Sequence, residues 1–245
     1  NDVFAADGDV TSTVEINDST ANGPNLDDLD FFGWTVANIG DLNNDGVSDI
    51  AVGAYNDDEG GDRRGAIHIM FMNTDGSVDS TVEINDSTAN GPNLDDVDGF
   101  GVSVANIGDL NGDGVSDIAS GAYDDEGGNN RGAIHIMFMN TDGSVDSTVE
   151  INDSTANGPN LDDVDGFGVS VANIGDLNGD GVSDIVVGAP YDDEGGDRRG
   201  AIHIMFLVST SSNSSEDSSK KKSDSGCYDC TPPKLQQAQI QISSN

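Results

Sequence analysis

The residues best placed to do chemistry are oxygen donors at fixed spacing. A nine-residue pattern, D-x-N-x-D-G-x-x-D, occurs three times, as Asp41-Asn43-Asp45-Asp49, Asp109-Asn111-Asp113-Asp117 and Asp176-Asn178-Asp180-Asp184. Side-chain oxygens at the first, third, fifth and ninth positions converge only if the backbone curls tightly. Gly46, Gly114 and Gly181 stand at the sixth position, where a residue without Cβ allows that curl. The carbonyl of the seventh residue (Val47, Val115 or Val182) then turns inward as well. A hard cation taking roughly six to eight oxygen ligands suits such a loop, Ca²⁺ above all. The sequence therefore predicts three Ca²⁺ sites. They are not EF-hands, because the twelfth position holds Val52, Ser120 or Val187 rather than a bidentate Glu, and a strand follows instead of a helix. The competing reading is an acidic Asx-turn hairpin that binds nothing.

Other groups invite a role and carry a plainer explanation beside it. His68, His135 and His203 recur at one place in each repeat, alternating with isoleucines. No Cys or second His lies near them in sequence, so packed or rim histidines are expected. Asn17, Asn85 and Asn152 each open Asn-Asp-Ser-Thr, and Asn213 opens Asn-Ser-Ser; all four fit the N-glycosylation acceptor pattern and are candidate glycan sites, beside the plainer reading of turns built from turn residues. Cys227 and Cys230 lack the second pair that zinc needs and the βαβ context of a redox motif, so a disulfide, local or intermolecular, is the expectation. Asp57-Asp58-Glu59 with Arg63-Arg64, and the matching Asp192-Asp193-Glu194 with Arg198-Arg199, read as solvated charge pairing in a loop.

These groups are positioned by an internal repeat. Residues 81–118 and 148–185 are identical over 38 positions, and residues 13–50 differ from them only at Leu29, Phe31, Trp34, Thr35 and Asn44. Within the middle unit, period-two alternation between Gly, Asn and Asp clusters predicts strands at 100–106, 117–122, 133–139 and 147–151. The stretch 152–165, with Gly158-Pro159-Asn160, reads as a surface loop. Thr13-Val14-Glu15-Ile16 matches the fourth strand of a unit, while the third unit lacks its own. The resulting division is 1–16, an N-terminal strand completing a blade; repeats at 17–84, 85–151 and 152–207; a Ser-rich linker at 208–226; and a Cys-x-x-Cys tail at 227–245 ending in a weak strand, 236–243.

The order Phe-Gly, metal loop, Gly-Ala-x resembles a known family. It appears as Phe32-Gly33 with Gly53-Ala54, Phe100-Gly101 with Gly121-Ala122, and Phe167-Gly168 with Gly188-Ala189-Pro190. This is similar to the FG-GAP repeat, the blade unit of the integrin α-subunit β-propeller and of many bacterial and archaeal surface proteins. The resemblance covers about residues 13–207. It implies an all-β fold of tandem four-stranded antiparallel blades with Ca²⁺ in the hairpin joining the first two strands. Two departures stand out: only the third copy has Pro after Gly-Ala, and the family's ring usually has seven blades where this chain supplies three. The tail also resembles an inter-domain segment of archaeal surface proteins.

Charge narrows the partners. The net charge is −37, and all four lysines lie beyond residue 219. Such a surface opposes nucleic acid and anionic lipid, whose phosphates need Lys and Arg. No apolar run reaches the length of a membrane-spanning helix. The chain opens on Asn1 without Met, as expected of a processed protein or a fragment. Because every candidate group appears three times in the same setting, a catalytic constellation of unlike groups is not expected. The sequence favours a Ca²⁺-stabilised extracellular structural or adhesive module, assembling head to tail by strand exchange into a filament or a closed ring. A glycan- or protein-binding propeller module is the alternative.

Overall fold

The computed structural model describes residues 7–125, 130–194 and 196–209. Eleven strands in three sheets make up this part of the chain, with no helix among the described residues. The first sheet holds β1 (Thr35–Gly40), β2 (Asp49–Ala54), β3 (Ala66–Met72) and β4 (Val78–Ile84) in sequence order. The second holds β5 (Phe100–Gly108), β6 (Asp117–Ala122), β7 (Ala133–Met139) and β8 (Val145–Ile151). The third has β9 (Ser170–Gly175), β10 (Asp184–Ala189) and β11 (Ala201–Met205). All pairings within the sheets are antiparallel, as expected of meanders closed by short turns. The four predicted strands of the middle unit are all present, the fourth beginning two residues earlier, at Val145.

Local sequence explains the elements. In β3 and β7, Ala-Ile-His-Ile-Met-Phe-Met is almost wholly buried, because both faces of these inner strands are covered. In β4 and β8, Val-Asp-Ser-Thr-Val-Glu-Ile is buried only at its ends, as suits an outermost strand. Asn73 and Ser77 close the β3–β4 turn, with the Asn73 amide on the Ser77 carbonyl at 2.8 Å and Gly76 at φ 84°.

Within its own chain Thr13–Ile16 pairs with no strand, and Ile16 packs on Val52, Met70 and Val78 of the first sheet. The slot beside β11 thus holds no fourth strand from the described part of the chain. Cys227, Cys230, Asn213 and the 236–243 strand lie outside the described residues.

The core lies between sheets rather than within them. Ile39, Leu42, Ile67, Ile69 and Ile84 of the first sheet pack against Phe100, Val104, Met137 and Val145 of the second. Ile107, Leu110, Ile134, Ile136 and Ile151 repeat this against Phe167, Ile185 and Val187 of the third. The sheets approach so closely that glycine is required at the contact. A Cβ on Gly53 would collide with the Gly101 carbonyl oxygen, and one on Gly121 with that of Gly168. Backbone cannot swing aside as a side-chain tip can. Gly121→Ala should therefore destabilise the fold by about 3 kcal/mol, as overpacking of a rigid contact does. Urea unfolding followed by circular dichroism measures this, and an unchanged midpoint would refute the tight contact.

Candidate metal loops and the blade junctions

Each acidic loop joins the first two strands of its sheet and is curled as its glycine predicts. Gly46, Gly114 and Gly181 have φ of 92°, 91° and 90°. The leading Asp caps the curl. Asp41 accepts the Asp45 amide on Oδ1 at 2.9 Å and the Gly46 amide on Oδ2 at 2.8 Å. Asp109 accepts from Gly112, Asp113 and Gly114, and Asp176 from Gly179, Asp180 and Gly181. Asn43, Asn111 and Asn178 each donate from Nδ2 to the carboxylate two residues on, at 2.9 Å. Asp45, Asp113 and Asp180 in turn accept the amides of Val47, Val115 and Val182.

The ninth residue behaves differently. Asp49, Asp117 and Asp184 are fully buried. Asp49 accepts the Leu42 amide at 2.9 Å and the Met72 amide at 3.0 Å. Asp117 does so with Leu110 and Met139, and Asp184 with Leu177 and Leu207. Each one thus fastens its loop to the end of the third strand. The sequence marked these residues as ligands and did not reveal this second task, since the third strand's position is a tertiary fact. Burial pushes the Asp117 carboxyl up to about 6, against the pull of its backbone donors. Asp49 shifts upward for the same first reason, with the Asp45 charge adding to it.

Among the described residues, no three acidic or imidazole groups are already drawn together as a metal cluster. The donor chemistry still fits a hard cation: exposed first and fifth carboxylates, an amide oxygen and a buried ninth carboxylate share one glycine-curled loop. No ion pair offsets their charge among the described residues. In each loop the first, third, fifth and ninth side chains and the seventh carbonyl would hold the ion, which would supply the positive charge the loop lacks.

Arg63 makes the solvated pairing expected of its loop, with exposed Asp62 at 3.6 Å, whereas Arg64 and Arg131 do not. Arg64 reaches past the nearby Asp57-Asp58-Glu59 run to the segment leading into the next sheet, meeting Asp86 at 2.6 Å and Asp96 at 2.9 Å. Arg131 does the same with Asp153 and Asp163. Both guanidiniums are mostly covered, and the pairs tie consecutive sheets together. The Phe100 amide donates to the Arg64 carbonyl, and the Phe167 amide to the Arg131 carbonyl, each at 2.9 Å.

The histidines are packed. The rings of Phe32, Phe100 and Phe167 meet those of His68, His135 and His203 edge-on, with centroids 5.4, 5.6 and 5.3 Å apart. His135 Nε2 also lies 2.7 Å from Asp125 Oδ2. Burial holds His68 down to about 4, so it is neutral at pH 7. The glycosylation candidates form Asx turns: Asn17, Asn85 and Asn152 accept the amide two residues on. Their Nδ2 groups donate to Glu15, Glu83 and Glu150. Asn85 is buried and Asn17 exposed.

The Phe-Gly pair, the curled acidic loop and the Gly-Ala contact together define a class: these sheets are FG-GAP blades. The FG-GAP repeat profile matches residues 32–70, 100–137 and 167–205. The chain is a three-repeat FG-GAP protein of integrin α-like type. It is 46% identical to human integrin alpha-6 over 98 residues, which is 39% of this chain and 8% of that protein. It is 29% identical to Drosophila melanogaster integrin alpha-PS2 over 210 residues, 82% of this chain and 13% of the relative. Bos taurus phosphatidylinositol-glycan-specific phospholipase D is 30% identical over 189 residues, 73% of this chain and 21% of that protein. The chain thus spans a small part of these relatives.

One acidic cluster yields a pH prediction. Burial raises the Glu83 carboxyl to about 7, with the Asp57 and Glu59 charges adding to it and the Asn85 donor opposing. A folded value above the usual 4.5 means the native state holds this proton more tightly than the unfolded chain. That stability is complete below about pH 4.5 and is lost as pH rises toward 7. Glu83→Gln should flatten this part of the stability–pH curve and gain about 1 kcal/mol at pH 8. Denaturant titrations across pH 4–8 measure it; a parallel curve for the variant would rule the assignment out.

Proposed function

We propose that the chain is a non-enzymatic, calcium-stabilised, extracellular or cell-surface repeat module with a structural or adhesive role. The observation that carries this is the loop itself. Three blades present the same glycine-curled acidic loop, each fastened to its sheet by a buried Asp, and no basic side chain among the described residues neutralises it. Ca²⁺ bound there offsets the repulsion and holds the hairpin. Likeness to integrin α-subunits supports adhesion. No helix among the described residues is long and apolar enough to cross a membrane. The acidic surface gives nucleic acid no footing. N-linked glycans are part of the proposal at Asn17 and Asn152, while the burial of Asn85 closes that site in the folded chain; glycopeptide mapping of native material tests them, and bare asparagine at both removes the idea.

The proposal extends to assembly. Residues 10–16 of one copy complete the third blade of its neighbour, in a head-to-tail filament. Deleting residues 1–16 should then leave soluble monomers where negative-stain microscopy shows polymers of the intact chain. Normal polymers from the truncated chain would exclude strand exchange.

A second reading, a glycan- or protein-binding module, has one specific observation behind it. Three of the five departures of the first repeat, Leu29, Phe31 and Trp34, are exposed. Phe31 stacks on Tyr55 at 5.7 Å and Trp34 lies 4.7 Å from the same ring. Such a platform suits a sugar face. A glycan array separates the readings, since no binding leaves the structural role.

For calcium, calorimetric titration should find three equivalent sites in the intact chain and two in Asp109→Ala. Chelator should lower the melting temperature by several degrees, because an ion bound only by the folded state stabilises it. A chelated, dialysed chain that takes up no Ca²⁺ would sink the central claim.

A further inference from the structure

We infer that the contact between copies reproduces the internal blade junction, with Arg199 of one copy clamped between Asp18 and Asp28 of a second. This rests on the head-to-tail reading above and names its contacts.

The third blade presents one half of a junction that no other described residues cover. Ile202 is 71% exposed, whereas Ile67 and Ile134, its counterparts, are fully buried against the following blade. Leu177 is 57% exposed against 2% for Leu42. The glycine slots are open too. A Cβ on Gly53 or Gly121 would strike a carbonyl of the next blade, but on Gly188 the nearest atom is Ser170 Oγ of the same blade, at 2.5 Å. Arg199 matches Arg64 and Arg131, yet meets no carboxylate among the described residues. A groove of about 560 Å³ runs between Ser170, Gly188, Arg199 and Ile202.

The first blade presents the other half, already shaped. The segment before it occupies the place that a preceding blade's last strand and loop would occupy. Thr81 donates to the Asn22 carbonyl at 2.8 Å, as Thr148 does to Asn90. Ile16 packs on Met70 and Val78 as Ile84 packs on Met137 and Val145. Asp18 accepts the Leu26 amide just as Asp86 accepts that of Leu94. Asp18 and Asp28 correspond to the Asp86–Asp96 and Asp153–Asp163 pairs that grip an arginine. No basic side chain meets either of them among the described residues. Val36 is 61% exposed, against 7% for Val104, which a preceding blade covers.

The halves match in charge, apolar surface and backbone. Docking the second copy's Phe32-Gly33 against Gly188 and Gly200 repeats the contacts of Phe100-Gly101 with Gly53 and Gly65. It sets that copy's Thr13–Ile16 beside β11, in the groove of about 660 Å³ lined by Asn157, Ile202, Ile204 and Phe206. Thr13 of the second copy then faces the Asn157 carbonyl, completing the series begun by Thr81 and Thr148.

Sedimentation velocity in Ca²⁺ buffer tests this. The full chain should associate with rising concentration. Arg199→Glu and Asp28→Lys should each weaken association about tenfold or more, and the double variant should associate more tightly than Arg199→Glu alone. Gly188→Ala should weaken association while keeping the monomer's melting temperature. Full-strength association by Arg199→Glu overturns the clamp; if deleting residues 1–16 still abolishes polymers, strand exchange survives without it. A full chain that stays monomeric at every concentration overturns clamp and strand exchange together. The calcium reading is judged separately, from the Ca²⁺-dependent melting of the Arg199→Glu monomer.

Discussion

A four-stranded antiparallel blade has two apolar faces and can cover neither alone. The structure depends on that constraint. The first two blades each bury one face against their successor, and the approach is so close that the neighbour's carbonyl oxygen lies where a methyl group on Gly53 or Gly121 would sit. The Phe-Gly pair serves the same contact. Phe100 and Phe167 are fully buried between blades, their amides on arginine carbonyls and their rings against histidines. The two motifs that punctuate the repeat are therefore the two sides of one joint.

Electrostatics reinforces the joint and strains the loops. In a chain of charge −37, Arg64 and Arg131 are spent between blades, each on two carboxylates. The acidic loops get no arginine among the described residues. Their carboxylates are held by backbone amides, which orient them without neutralising them. A divalent ion in the loops would offset that charge, while the junctions hold by side-chain pairing.

Much of this was legible in the sequence because it is local or periodic. The strand alternation, the glycine at position six of the loop and the Phe-Gly/Gly-Ala order are all short-range signals. The packed histidines were also legible, since no Cys or second His stands near any of them in sequence. Long-range facts were not. Arg64 stands five residues from Glu59, yet pairs with residues on the following loop, and sequence proximity pointed to the wrong carboxylates. Asp49 looked like a ligand alone, because nothing in its surroundings shows that the end of β3 returns to it. Thr13–Ile16 repeats Thr81–Ile84 of the fourth strand letter for letter, but a strand requires a partner, and no described strand pairs with it. Instead its apolar end, Ile16, rests on the first sheet.

The near-identity of the repeats also bears on how the chain finds its fold. β3 and β7 are the same seven residues, as are β4 and β8. Pairing energy alone cannot tell β6 whether to join β7 or β3. The choice falls to connection length, because a nearby partner closes a smaller loop at lower entropic cost. Correct folding here is a contest decided by proximity, so slow synthesis, which presents one blade before the next exists, favours the native pairing over a swapped one.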